Sequence, residues 1–151
     1  MKHNGESTIE FVDFHAFGHR VGVIFTTDVA KTVKTRLNRT TCADTVAICF
    51  PDPHHAKSLL IFNYEANVGT LVHECFHAVW NLFKYHGVKF SDEAVAYHLD
   101  YIVKRVHLIQ SEARKAMRTY YGKQRAKRKS GKGKPEQQNI GIVRSVLQSQ
   151  P

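Results

Sequence analysis

The sequence predicts an α+β domain in which a small antiparallel sheet packs on one helix and on a second, longer helix. Short runs rich in β-branched and aromatic residues lie between residues 20 and 65, and two longer segments with helical spacing lie between residues 68 and 121. Apolar residues make up 42% of the 151 residues, which is typical of a globular chain. Residues 1–122 are therefore predicted to form one domain with a hydrophobic core.

Three strands are predicted in the first half of the chain. They are "RVGVIFTT" (20–27), "TVAICF" (45–50) and "SLLIFNYE" (58–65), all dense in residues that favour extended backbone. A short connection joins the second strand to the third, which favours an antiparallel hairpin. The segment "DVAKTVKTRLNR" (28–39) has apolar residues at helical spacing, and Asp28 is suited to cap the N-terminus of that helix.

Two longer helices follow the strands. Apolar residues recur at steps of three and four from Val68 to Tyr85, Asn67 is suited to cap the start, and Gly87 favours the left-handed backbone that ends a helix. The segment 91–121 predicts a single long helix, because Ser91 is a good N-cap and an apolar stripe continues along one face.

The positive charge of the chain is concentrated near its C-terminus. Residues 1–122 hold 14 basic and 12 acidic side chains, whereas residues 123–134 hold seven basic and no acidic ones. We therefore predict a basic, flexible tail over 123–151 that ends in a short apolar segment at 140–147. Residues 123–134 can contact nucleic acid without specificity through phosphates, and a solvated tail without a partner is the alternative.

The cysteines and the hydropathy predict a protein of the cytoplasm. Cys42, Cys49 and Cys75 are too few for a disulfide framework, so we expect reduced thiols in or near the core. No apolar run approaches the roughly 18 residues that span a bilayer, and the first residues lack the apolar stretch of a signal peptide. We therefore expect no membrane partner.

The segment "TLVHECFHAVW" (70–80) predicts a metal centre. On a helix, His73 and His77 lie on one face, where two imidazoles can bind the same ion. Glu74 sits beside that ion and suits a general base acting on a zinc-bound water. Chance alone would give this His-Glu-x-x-His pattern in about 3% of chains of this composition, so the pattern is a fairly strong indication of a zinc site.

A catalytic zinc usually has three protein ligands, and three residues are candidates for the third. We favour Glu93, because it lies in the first turn of the next helix and the turn at Gly87 permits an antiparallel return. Asp92 is the adjacent alternative. His86 lies nine residues after His77, on the opposite face of a continuous helix, and can bind the same ion only if the helix breaks before it.

Two further residues of the second helix are candidates for supporting roles. Tyr97 follows Glu93 by four residues and can donate a hydrogen bond to an oxyanion formed during hydrolysis. Asp100 can hold a ligand histidine in the required tautomer. Ordinary packing of Tyr97 and a solvated carboxylate at Asp100 are the alternatives.

These motifs resemble the zincin metallopeptidases. "VHECFHAVW" followed by "DEAVAY" is similar to small phage-encoded proteins of the gluzincin type, over roughly residues 45–105. The resemblance implies a minimal zincin-like domain with His73, His77 and Glu93 as Zn²⁺ ligands and Glu74 as the catalytic base. It also implies that an edge strand, either "TVAICF" or "SLLIFNYE", binds extended peptide, and that a phage-encoded protein would act in the cytoplasm of the host.

A second resemblance predicts another ligand. "HECFHAVWNLFKYHGVKF" is also similar to SprT-like proteases, in which His86 would be the third ligand and the basic tail would be a DNA-binding arm.

The leading hypothesis is a zinc-dependent metallopeptidase that hydrolyses peptide bonds. The SprT-like protease is one alternative. A non-catalytic nucleic-acid or protein-binding module that acts through the tail is another, and a zinc-bearing domain without activity is a third.

Overall fold

The computed structural model describes residues 9–52 and 57–129, and it confirms the α+β class. Four strands and three helices form in the order β1, β2, α1, β3, β4, α2 and α3, with a short 3₁₀ helix after β1. Their bounds are Glu10–Phe14 for β1, His15–Phe17 for the 3₁₀ helix, His19–Thr26 for β2, Val29–Leu37 for α1, Ala47–Asp52 for β3, Lys57–Asn63 for β4, Val68–His86 for α2 and Asp92–Lys129 for α3. No helix within the described ranges combines the length and the apolarity needed to cross a membrane.

The sheet is mixed, whereas a purely antiparallel sheet was expected. Its strand order is β1-β2-β4-β3. The predicted β3–β4 hairpin is confirmed as an antiparallel pair, and β1 is antiparallel to β2. However, β2 and β4 are parallel, because the chain passes through α1 and β3 before it returns beside β2. Strand β1 was missed, since its sequence "EFVDF" is short and mixes acidic with apolar residues.

The sheet separates two groups of buried side chains. Alternate residues of β2 and β4 face opposite sides of the sheet, as the two-residue repeat of a strand requires. On one side, Phe25 and Phe62 belong to the main core under α2 and α3. On the other side, Ile24 and Ile61 pack against α1. The domain therefore has three layers, with α2 and α3 together on one face of the sheet.

Polar caps fix the start of α1 and both ends of α2 as predicted. The Asp28 carboxylate accepts a hydrogen bond from the Lys31 backbone N–H, and the Asn67 side chain accepts one from the Thr70 N–H. Gly87 ends α2 with a φ of 62°, and its N–H donates to the Phe83 carbonyl. The caps at Asn67 and Gly87 therefore define where α2 begins and ends.

Buried polar contacts from α3 hold the turn that precedes α2. Gln110 is almost completely buried, and its Nε2 donates to the carbonyl oxygens of Tyr64 at 3.2 Å and of Ala66 at 2.9 Å. Arg114 Nε donates to the same Tyr64 oxygen at 2.7 Å. Because these carbonyls lie between β4 and α2, the contacts anchor the beginning of α2 to α3.

Helix α3 is longer than predicted, and the helix end expected at residue 121 is wrong. The helix passes through Gly122 without a break and ends at Lys129. One glycine costs only about 1 kcal/mol relative to alanine, and the neighbouring lysine, arginine, glutamine and alanine residues favour helix. The first part of the predicted flexible tail is thus helical. The remainder, including the apolar segment 140–147, lies outside the described residues.

Candidate functional site

His73 and His77 converge on the exposed face of α2. Their Nε2 atoms are 3.2 Å apart, and their ring centroids are 4.8 Å apart. The opposite face of α2 is buried in the main core, and this packing turns both imidazoles outward. The structure thus brings together the two histidines that the sequence pattern predicted as metal ligands.

The separation of the two nitrogens suits a shared zinc ion. Zinc–imidazole bonds of about 2.0–2.1 Å at tetrahedral angles would place two nitrogens about 3.3–3.4 Å apart. The observed 3.2 Å is close to this value. The distance between the two Nε2 atoms is therefore compatible with both binding one ion.

Glu74 lies half-buried between the histidine pair and two thiols. Burial, together with a smaller contribution from the charge of Glu74, raises the pKa of Cys49 to about 12. Burial likewise raises the pKa of Cys75 to about 12, with smaller contributions from Cys49 and Glu74. Both thiols are therefore protonated at neutral pH in the metal-free protein.

The cysteines agree only partly with the expected placement in or near the core. Cys75 is buried and Cys49 is partly buried, whereas Cys42 is exposed. The Asn81 amide donates to Cys49 Sγ at 3.8 Å, which ties α2 to β3 close to Glu74.

An apolar groove separates α2 from the first turns of α3. Its volume is about 580 Å³, and its walls include Phe76, Trp80, Phe90 and Asp92. Phe76 is beside the histidine pair, with its ring centroid 6.4 Å from that of His77. Trp80 stacks on Phe90 at 4.2 Å. This groove was not predicted from the sequence, although Phe76 and Trp80 show the same four-residue spacing as the histidines.

Within residues 9–52 and 57–129, the structure brings no third ligand to the histidine pair, because no three His, Cys, Asp or Glu side chains there are grouped closely enough to hold a metal ion. Glu93 and Asp92 are both exposed in the first turn of α3. Asp92 lines the groove next to Trp80, and Glu93 is not part of that lining.

His86 is too far from the histidine pair to bind the same ion. The prediction of His86 as the third ligand, as in SprT-like proteases, is therefore wrong. Helix α2 continues unbroken to His86, which places it about 13.5 Å along the axis from His77 and on the opposite face. His86 instead packs against Phe17 at 5.4 Å and against His19 at 5.8 Å between ring centroids. The helix break that this ligand set requires does not occur.

Tyr97 and Asp100 lie outside the cluster. Tyr97 is 80% exposed, and its ring is 6.4 Å from that of the adjacent His98. Asp100 is exposed and accepts a hydrogen bond from Lys104 Nζ at 2.8 Å, one turn along α3, which agrees with the alternative of a solvated carboxylate. His98 is partly buried, donates from Nδ1 to the Ala94 carbonyl and packs on Phe83.

A second pair of histidines, the buried His19 and the partly buried His86, lies near the 3₁₀ helix. His19 is 2% exposed, and among the described residues neither its Nδ1 nor the buried Nε2 of His86 has a hydrogen-bond partner. His19 Nε2 lies 3.3 Å from the Ser58 hydroxyl. Burial, together with a smaller contribution from the neighbouring His86, lowers the pKa of His19 from 6.5 to about 4. The imidazole of His19 is therefore neutral in the folded protein at neutral pH.

The lowered pKa of His19 is expected to make folding sensitive to mild acid. Between pH 6.5 and about 4, His19 is protonated in the unfolded chain but neutral in the folded chain. The free energy of unfolding therefore falls as the pH drops through this range. The full shift corresponds to roughly 3 kcal/mol. We expect the free energy of unfolding of His19→Gln to depend less on pH between pH 6.5 and 4 than that of the parent protein. It is measured by urea titration with a chelator present.

His15→Gln provides the matched control, because His15 is exposed in the adjacent turn. Its pH profile should follow that of the parent protein. A His19→Gln profile as steep as the parent's would show that His19 does not cause the acid sensitivity.

Comparison of the chain with protein-family models, with curated proteins and with solved structures finds no match in any of the three. The functional proposal therefore depends on the residues and the geometry of this chain.

Proposed function

We propose that the protein is a zinc-dependent metallopeptidase that acts in the cytoplasm. The observation on which the proposal chiefly rests is the 3.2 Å approach of His73 Nε2 and His77 Nε2 on the outer face of α2. A helix that presents two imidazoles one turn apart, with a glutamate beside the first, supplies two of the ligands and the general base that metal-assisted hydrolysis uses.

In this proposal each residue has a distinct role. His73 and His77 bind Zn²⁺, and Glu93 from α3 provides the third ligand. When bound, zinc would lower the pKa of a water molecule to near 7 and polarise the scissile carbonyl. Glu74 accepts the proton of the attacking water and delivers it to the leaving amine as the C–N bond breaks. Tyr97 is proposed to donate a hydrogen bond to the oxyanion.

The surroundings of the pair favour a peptide substrate. Strand β3 is at the edge of the sheet, and the Asn81–Cys49 contact places it close to α2 on the side of Glu74. An extended peptide can pair with such an edge strand through its backbone. The apolar groove on the other side of the pair can accept a large side chain of the same peptide.

Metal analysis of the purified protein tests the zinc centre and its third ligand. We expect about one zinc per chain in the parent protein. Glu93→Ala should reduce the zinc affinity by more than about a hundredfold. Loss of a residue that only hydrogen-bonds to a metal ligand already lowers metal affinity 10- to 100-fold, and loss of a ligand should lower it more. Asp92→Ala is the matched variant, since it removes the neighbouring carboxylate from the same helical turn.

The two variants separate the possible outcomes. Zinc loss in Asp92→Ala but not in Glu93→Ala would show that the third ligand is Asp92, which lines the groove. Absence of zinc from the parent protein, even after incubation with the metal, would refute the proposal.

A further inference from the structure

The last turns of α3 form an exposed, strongly basic surface. Residues 113–129 contain eight lysines and arginines and no aspartate or glutamate. Met117 is the last residue of α3 that packs on the main core in the described part of the chain. Since α3 continues for twelve more residues, about 18 Å of helix extends beyond that contact.

Four exposed basic side chains of this region share one side of the helix. At about 100° per residue, Lys115, Arg118, Arg125 and Arg128 lie within an arc of about 140°. We call these four residues the basic face. They span about 20 Å along the helix axis, and Tyr121, which is 45% exposed, lies between Arg118 and Arg125 on the same side.

We propose that the basic face binds the phosphate backbone of duplex nucleic acid. A duplex is a rigid rod with about one negative charge per 1.7 Å, so cations held at fixed intervals on a straight helix can meet several phosphates at once. Three of the four residues are arginines, whose planar guanidinium groups form two parallel hydrogen bonds to a phosphate. The Tyr121 hydroxyl supplies a further donor.

The composition of this helix favours nucleic acid over a lipid surface. A helix that lies in a membrane interface needs large apolar side chains opposite its charges. Residues 113–129 contain no leucine, isoleucine, valine, phenylalanine or tryptophan. Charge complementarity without an inserting apolar face therefore points to a hydrated polyanion.

The basic face differs in two ways from the nucleic-acid contact expected at residues 123–134. The surface begins earlier, since Lys115 and Arg118 precede that segment and line a concavity together with His107 and Arg114. It is also helical, so its charges have a fixed order along the axis. Arg114 is not counted, because its guanidinium is engaged with the Tyr64 carbonyl.

The experiment compares two double variants of the full chain that lose the same charge. Arg118→Gln/Arg125→Gln removes half of the basic face, and Lys31→Gln/Lys34→Gln removes two exposed cations from α1. Binding to a 20-base-pair duplex is measured by fluorescence anisotropy over a range of salt concentrations. We expect the slope of log K against log salt to become shallower by about 1.8 in the first variant, because each lost phosphate contact contributes about 0.9.

The affinity of the first variant for the duplex should fall about 10- to 100-fold at 0.1 M salt, and the α1 variant should behave as the parent. An unchanged slope in Arg118→Gln/Arg125→Gln would overturn the proposal. Tighter binding to vesicles that contain phosphatidylserine, or to a single strand of the same length, would overturn the assignment to a duplex. Zinc content and peptide hydrolysis should be equal in all three proteins, so this test is independent of the proposed peptidase.

Discussion

Replacing Glu74 with glutamine is expected to leave zinc bound and to reduce peptide hydrolysis about 10²- to 10⁴-fold. The amide keeps the size and the hydrogen-bonding reach of the carboxylate, but it cannot accept the proton of the attacking water. Because Glu74 is not a metal ligand in the proposed site, the zinc content should stay that of the parent. Both quantities are measured on the same preparation, with a mixture of unstructured peptides as substrate.

Glu112→Gln is the control for this experiment. It makes the same chemical change on an exposed carboxylate of α3, far along the chain from the histidine pair. The control should retain the activity of the parent. If Glu74→Gln hydrolyses peptides at the parental rate, Glu74 is not the general base.

Loss of either histidine should remove the metal. We expect His77→Ala to weaken zinc binding by more than about a hundredfold. A direct ligand contributes more than a residue that hydrogen-bonds to a ligand, whose loss lowers metal affinity 10- to 100-fold. His77 is exposed, so the free energy of unfolding without metal should change by no more than about 0.5 kcal/mol. The comparison of zinc titrations with urea unfolding separates metal loss from misfolding.

Zinc also provides a second measurement of the same site. At a concentration of 100 times its dissociation constant, a ligand that binds only the folded state stabilises a protein by about 2.7 kcal/mol. The parent and a His107→Ala control should both show this gain, and His77→Ala should not. Equal stabilisation of His77→Ala and the parent would mean that zinc binds elsewhere.

Local signals in the sequence predicted the elements that position the site. Asn67 and Gly87 mark the two ends of α2 in the sequence, and both act as caps in the structure. The four-residue spacing of His73 and His77 correctly predicted that the rings would meet, because helix geometry alone determines that contact. The apolar spacing of α2 also predicted which face would be buried.

Features that depend on long-range packing were not predictable in the same way. The parallel pairing of β2 with β4 depends on where the chain returns after α1, and no local pattern encodes that path. The distance between α3 and the histidine pair depends on the large aromatic side chains of the groove, such as Trp80 and Phe90. The third ligand therefore stays a prediction, and metal analysis of the variants provides its test.

The position of β3 also limits how the protein can associate with itself. A strand at the edge of a sheet is a template for aggregation, and native chains protect such edges with proline or with short strands. Here Pro51 lacks an N–H group and occupies the second-to-last position of the six-residue β3. Uninterrupted backbone is thus confined to Ala47–Phe50, about 13 Å of strand. That length is enough to pair with a few residues of an extended peptide, but it is too short to favour edge-to-edge aggregation into fibrils.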